Sequence, residues 1–345
     1  MSLARGAVLA LALWLAACAG GGQLDRSPES ADSAAGSPGK LTPHIEGGVF
    51  VADDGARLPL RAWLPRGRVK AVVVAIHGFN DYSQGFQGVG VQWESAGIAT
   101  YAYDQRGFGE APDRGRWVGA WRLTQDIAAM SRVLHARYPH LPVYLFGESM
   151  GGALVVVSVT GAAGAEKPAV DGIILMAPAV WGRAYMNVFE RSALFLAYNI
   201  VPSMTLTGQS LGIRASDNEE ALRELSLDPL FIKATRVDAI KGLVDVMDMA
   251  TAAAPLLTQR ALILYGAKDQ IIPKPPFYHF LRSLPPVSPG RRTIAYYPEG
   301  WHLLGRDLEA ATVIADMTSW IQHPDAPLPS GADREIPPEA LAPQP

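Results

Sequence analysis

In the stretch Val143–Val157, VYLFGESMGGALVVV, one serine stands between two glycines, with apolar runs on both sides. Such a serine can act as a nucleophile if a buried strand runs into a tight turn and a helix follows with its amino end at the site. Val143–Phe146 has the strand pattern, and Met150-Gly151-Gly152-Ala153-Leu154 supplies the small residues of a crowded turn and helix start. The same spacing recurs around Ser210, but VPSMTLT precedes it and IRASDNEE follows it. Neither flank reads as a buried strand, so Ser210 is expected to be a loop serine.

A serine hydroxyl needs a base to take its proton, and the base needs an acid to hold its tautomer. Of seven histidines, His302 in YYPEGWHLLGRD falls in a loop between the last apolar run and the final helical pattern. His135 and His140 flank a helix end, His279 lies in a helical segment, and His44 and His323 lie near the termini. For the acid, ALILYGAKDQIIP puts Asp269 just past a buried run. Glu299 is the rival, but it sits only three residues before His302 on the same connection and is expected to point elsewhere. Asp104 in YDQRGFG also follows a strand pattern and reads as a turn residue anchored by hydrogen bonds. The order Ser149, Asp269, His302 is the one expected of an α/β-hydrolase. Acyl transfer further needs donors for the oxyanion. The run ending His77-Gly78-Phe79 and the turn after Ser149 offer the backbone N–H groups of Phe79 and Met150 for that purpose, with His77 ordering the loop.

The elements that must position these residues are short apolar runs alternating with helical patterns. Gly48–Ala52 and Leu58–Leu64 suggest an opening antiparallel pair. Ala71–Ile76, Ile98–Tyr103, Val143–Phe146, Gly172–Met176, Ala261–Tyr265 and Thr293–Tyr297 follow, the middle ones apolar enough for burial on both faces. The predicted fold is α/β: a mostly parallel sheet of about eight strands, helices on both faces, and chemistry at the carboxyl ends of the strands. About eighty residues separate the strand ending near Pro178 from the next, too long for a plain loop, so a helical cap is expected over residues 181–257. Within it YMNVFERSALFLAYNIVP is apolar on most sides, and Phe189, Leu194, Phe195 and Tyr198 are candidates for a substrate pocket. Packing between cap and core is the alternative role for these four.

With 49% hydrophobic and 18% charged residues the 345-residue chain is globular. A formal net charge of -3 without a basic run speaks against a nucleic-acid partner. The single cysteine, Cys18, excludes an intramolecular disulfide and a Cys-based metal cluster, and no metal or organic cofactor is expected. Cys18 ends an uncharged run whose length, about a dozen residues, is that of a signal segment rather than a membrane span. Leu15-Ala16-Ala17-Cys18 resembles the lipobox of bacterial lipoproteins, which implies cleavage before Cys18 and a diacylglyceryl group on its sulfur. Residues 1–17 are then a signal peptide and 18–43 a Gly/Ser/Ala-rich tether, and Ala19 after the cysteine favours the periplasmic face of the outer membrane. The Pro-rich residues 324–345 are expected to lie outside a 44–323 domain, in a disordered tail.

IHGFNDYS, YDQRGFGEAP, YPHLPVYLFGESMGGAL, LSLDPLF, LILYGAKDQIIP and YPEGWHLLGRD together resemble the monoacylglycerol lipase and lysophospholipase branch of the α/β-hydrolases, also called serine aminopeptidase-like. The likeness runs from about Gly47 to Ile321. Animal members of that family carry His where this chain has Glu148, whereas lysophospholipase-like and phenolic-ester esterases share GESMGG. The resemblance implies cofactor-free hydrolysis of a lipid-like carboxylic ester, a monoacylglycerol or lysophospholipid, through an acyl-enzyme on Ser149. A peptidase, an amidase or a phenolic-ester esterase on the same scaffold, and a non-catalytic lipid-binding lipoprotein of the envelope, are the competing expectations.

Overall fold

A computed structural model describes residues 41–207 and 212–342. Cys18, the leader, most of the tether and Ser210 lie outside the described residues. The chain opens with three antiparallel strands, β1 (His44–Glu46), β2 (Val49–Val51) and β3 (Arg57–Trp63). It then alternates through β4 (Ala71–Ile76), α1 (Gln87–Ala96), β5 (Ile98–Tyr103), α2 (Ala120–Arg137), β6 (Val143–Glu148), α3 (Met150–Thr160) and β7 (Gly172–Met176). An excursion holds α4 (Val188–Ile200), β8 (Thr205–Thr207), α5 (Glu219–Leu227) and β9 (Ala234–Arg236), followed directly by α6 (Val237–Ala253). The alternation resumes with β10 (Ala261–Gly266), α7 (Lys274–Ser283), β11 (Arg292–Tyr297) and α8 (Ala310–Gln322), and α9 (Pro338–Leu341) lies in the tail.

Nine strands form one sheet in the order β1-β2-β3-β5-β4-β6-β7-β10-β11, parallel from β5 to β11. β4, β5, β6, β7 and β10 are buried along their whole length, as their unbroken apolar runs require. Because successive side chains point to opposite faces, each strand feeds two cores. Val72, Val74 and Ile76 join Val143 and Leu145 on the face covered by α2, α3, α6 and α7. Val73 and Ala75 join Tyr144 and Phe146 on the face covered by α1 and α8, where Trp93 Nε1 donates to Thr318 Oγ1 at 3.0 Å.

Two boundaries differ from the sequence expectation. Helix α6, inside the expected cap span, packs on α3 and buries Gly242, Val246 and Ala250 in the main core. It is a core helix whose other side roofs a cavity, so the true excursion ends near Arg236. The tail also lies against the body through 342. Leu328 and Ala332 are buried in one core, while Ala340 is buried in the other and Ile336 packs against it. The turn at Ala332–Arg334 packs beside β11, the end strand of the sheet. Asp316 anchors this segment, accepting Ser330 N–H at 3.0 Å and the Tyr297 hydroxyl at 2.9 Å. Composition read this segment as having nothing to bury. Four apolar side chains spaced four residues apart suffice when a ready-made surface receives them, and prolines lower the entropy lost on docking.

Truncation after His323 should therefore lower the melting temperature by about 5 °C, taking ~2 kcal/mol for the Leu328 side chain and ~2–4 °C per kcal/mol. Thermal unfolding of the truncated and full chains checks this; equal values would mean the tail adds no stability.

Candidate active site

The chain passes from β6 into α3 through a single residue, Ser149, held at φ 54°, ψ -117°. Positive φ is unfavourable for a side-chain-bearing residue, by about 1–3 kcal/mol, and persists only where the surroundings enforce it. Here Ser149 N–H donates to Met176 O at 2.9 Å, and the Ser149 carbonyl accepts from Ala153 and Ala179 N–H at 3.1 and 2.9 Å. The turn is also too crowded for larger residues. A Cβ on Gly151 would lie 1.9 Å from Ile76 O, and one on Gly147 would lie 2.4 Å from Gly151 O. Helix α3 begins at Met150, where the amides have no acceptor within the helix.

The loops after β10 and β11 are bound together, with Ala267 N–H donating to Tyr297 O and Lys268 N–H to Gly300 O, both at 2.9 Å. They bring Asp269 and His302 into contact. Asp269 Oδ1 accepts from Ile271 and Ile272 N–H at 2.8 and 2.9 Å, and Oδ2 lies 2.8 Å from His302 Nδ1. A carboxylate can only accept, so Nδ1 carries the hydrogen and Nε2 keeps its lone pair. Burial pushes the His302 pKa down, but the charge and hydrogen bond of Asp269, then the charges of Glu148 and Asp307, outweigh it and leave the imidazole above its ordinary value. Asp307 fixes the loop itself, accepting Trp301 N–H at 2.7 Å and the Ser216 hydroxyl at 2.6 Å. Glu299 is turned outward to Lys268 at the surface.

The turn after β4 is organised by His77. Its Nε2 accepts Gln105 N–H at 3.0 Å, so Nδ1 donates to Gly78 O at 2.8 Å. Complete burial lowers its pKa and keeps it neutral. Gly78 abuts Ser149, the position of its missing Cβ being 3.4 Å from the serine Cβ. Among the described residues the Phe79 amide has no hydrogen-bond acceptor. Asp104 ties the neighbouring turn together, accepting Ser83 N–H at 3.0 Å and Glu110 N–H at 2.9 Å.

Ser149 and His302 line one cavity of about 660 Å³. Its walls are apolar and come from α4, the segment after β8, α5 and α6, including Leu194, Leu206, Ile213, Leu222, Ile232 and Val244. Of the four aromatic and aliphatic candidates only Leu194 is among them. Phe189 and Phe195 are 77% and 67% exposed, and Tyr198 lies under the Lys241 ammonium, 4.9 Å from its ring centre. The inner face of α4 is Ala193, Leu194 and Ala197, a phase that a stretch apolar on most sides does not reveal.

The polar end of the cavity holds three charged residues. Arg306 pairs with Asp81 and lies 3.5 Å from Glu148 Oε2. Glu148 Oε1 and Arg306 Nε are buried without partners among the described residues. Burial raises the Glu148 pKa against the pull of Arg306. Sequence reasoning singled out Glu148 but missed Arg306 and Asp81, since nothing marks a surface-type Arg and Asp 225 residues apart as neighbours. Among the described residues no three His, Cys, Asp or Glu side chains are grouped to hold a metal ion.

Residues 67–309 match the serine aminopeptidase, S33 family. The chain is 25% identical to the monoglyceride lipase of Rattus norvegicus over 287 residues, covering 81% of this chain and 90% of that one. It is 27% identical to phospholipase YtpA of Bacillus subtilis over 214 residues, 60% of this chain and 79% of that one. Among solved structures, a soluble variant of monoglyceride lipase from Saccharomyces cerevisiae in complex with a substrate analogue superposes with a TM-score of 0.67 at 18% identity, covering 87% of this chain and all of the other. The monoacylglycerol lipase of Paleococcus ferrophilus gives 0.64 at 20%, covering 76% and 98%.

Any step in which His302 takes a proton needs its neutral form, and the surrounding carboxylates favour the charged form. The acid limb of kcat/KM against pH should accordingly have its midpoint above the ~6.5 of a free imidazole. Glu148→Gln removes one of the raising charges and should move that midpoint to lower pH. Profiles of the two proteins check this, and coincident acid limbs would exclude the coupling.

Proposed function

Because the chain belongs to the serine aminopeptidase, S33 family of α/β-hydrolases and is a serine hydrolase of the lipase and esterase kind, we propose that it cleaves esters of single-chain amphiphilic lipids, monoacylglycerols or lysophospholipids. The observation that carries this reading is the polarity of the cavity: its walls are mostly apolar, and apart from Lys233 its charged lining residues, Asp81, Glu148 and Arg306, gather with Ser149 and His302. An acyl chain fits the former, and the hydroxyl or phosphate ester of a head group fits hydrogen-bonding atoms left unpartnered at the latter. The names of the relatives, monoglyceride lipase and phospholipase, support the same class.

In this reading the Ser149 hydroxyl gives its proton to His302 Nε2 as Oγ attacks the ester carbonyl carbon. Charge that develops on the carbonyl oxygen is received by the N–H groups of Phe79 and Met150. Asp269 holds the imidazolium, which returns its proton to the departing alkoxide, and the C–O bond breaks. Water, deprotonated by the same imidazole, then attacks the acyl-serine, and the imidazolium returns that proton to Ser149 Oγ as the acyl C–O bond breaks and the fatty acid leaves. In this reading the enforced backbone angle of Ser149 presents its hydroxyl to the cavity that His302 also lines, so little backbone reorganisation accompanies attack.

Wild-type protein should hydrolyse medium- and long-chain monoacylglycerols or lysophospholipids in preference to aminoacyl arylamides and to phenolic esters, and Ser149→Ala should lower turnover by about 10⁴-fold or more. A preference for the arylamides would identify a peptidase, and failure to react with a fluorophosphonate would indicate a non-catalytic lipid binder. The reading includes a lipid anchor on Cys18, outside the described residues, that holds the enzyme at the envelope membrane where such lipids reside. Cys18→Ala protein should then leave the membrane fraction; sedimentation with membranes as before would count against the anchor.

A further inference from the structure

The turn that carries the Phe79 amide is gripped from two sides. His77 and Gln105 hold its start in the core through two hydrogen bonds of 3.0 and 2.9 Å. Its other side is held by the excursion. The Asn80 carbonyl accepts Ile232 N–H at 2.9 Å, Asn80 Nδ2 donates to Thr235 Oγ1 at 2.7 Å, and the Tyr82 hydroxyl donates to Asp228 Oδ2 at 2.7 Å. Asn80 adopts φ 66°, a left-handed conformation that an amide side chain tolerates better than most but does not favour. The gripping segment is also a wall of the cavity: Phe231, Ile232 and Thr235 line it, and Thr235 lies in β9, paired with Leu206 of β8, another lining residue.

We infer that Asn80 is a positioning residue that transmits the seating of segment 228–235 to the amide of Phe79. The inference rests on the oxyanion role assigned to that amide above. The clamped carbonyl belongs to the Asn80–Asp81 peptide and the donor to the Gly78–Phe79 peptide, with one peptide unit between them, so displacement of the segment turns that Phe79–Asn80 link and swings the donor with it. An acyl chain packed against Ile232 and Leu206 presses the segment home and keeps the donor aimed. Chain length then acts on kcat and not on KM alone, because a donor out of place by about 1 Å costs on the order of 10²-fold in rate. A purely structural role for Asn80, as a fastener of the excursion, would weaken binding and stability and leave kcat intact.

The test uses full-length protein with Asn80→Gly, which keeps the left-handed backbone and removes the amide, Thr235→Val, and the double variant. Decanoyl and acetyl esters of one alcohol give kcat and KM, a fluorophosphonate gives a labelling rate, and thermal unfolding reports stability. Each single variant should lower kcat for the decanoyl ester by about 10–100-fold with KM changed less than about 3-fold, and should flatten the kcat ratio between the two esters. The double variant should be no worse than the poorer single one, since both break one bond. A rise in KM with kcat unchanged, or additive losses, would overturn the inference, and Thr235→Val alone decides if Asn80→Gly does not fold. If the wild type cleaved no acyl ester yet labelled about 10-fold faster than both variants, the ester reading would fall and the clamp would stand. Equal labelling beside normal ester turnover would sink the clamp alone.

Discussion

The reversal of the chain at Ser149 is the constraint on which the rest of the site depends. One residue must turn a buried strand into a buried helix, and it does so at a backbone angle that a free serine avoids. The turn holds because β4 and β7 flank β6: Ile76 O leaves room for a hydrogen atom and no more at Gly151, and Met176 O takes the Ser149 amide. The strand order is thus part of the chemistry. The adjacency that buries Val72–Ile76 also brings Gly78 against Ser149, and the loops that end β10 and β11 deliver Asp269 and His302 to the same rim.

Around that turn lies an unusual density of buried charge. Asp269, His302, Glu148, Arg306, Asp81 and Asp307 are all mostly removed from water. Burying a charge is costly unless it is paired, and most of these are: Asp269 by two amides and an imidazole, Asp307 by an amide and a hydroxyl, Asp81 by Arg306. Glu148 is the exception, with one oxygen unmatched and a pKa pushed up by burial. A group left in that state in the lining of a mostly apolar cavity gains most from a ligand that supplies the missing partner.

The cavity is shaped by segments far apart in sequence. Helix α6 packs its small residues on α3 and turns Ile240, Leu243 and Met247 to the cavity, so the roof of the site is fastened to the helix that follows Ser149. The excursion before it is stitched to two loops of the site, through Ser216 and Ala215 to the loop of His302 and through residues 228–235 to the turn of Phe79. Its outward face leaves Phe189 and Phe195 in solvent.

Much of this was legible in the sequence. Six apolar runs announced β4, β5, β6, β7, β10 and β11, and the first five of these strands are buried along their whole length, where apolar side chains dominate. Ser149, Asp269 and His302 stood out because each follows such a run at a turn, and a strand end is where a parallel sheet exposes functional side chains. Those are local signals, carried by neighbours in the chain. The partners of Glu148, the clamp on Asn80, the inner face of α4 and the docking of the tail were decided by tertiary structure alone. Arg306 meets Asp81 and Thr235 meets Asn80 across 225 and 155 residues, and a helix apolar on most sides has no sequence phase until something packs against it. The residues of the tail likewise acquire a role only from the surface already built to receive them.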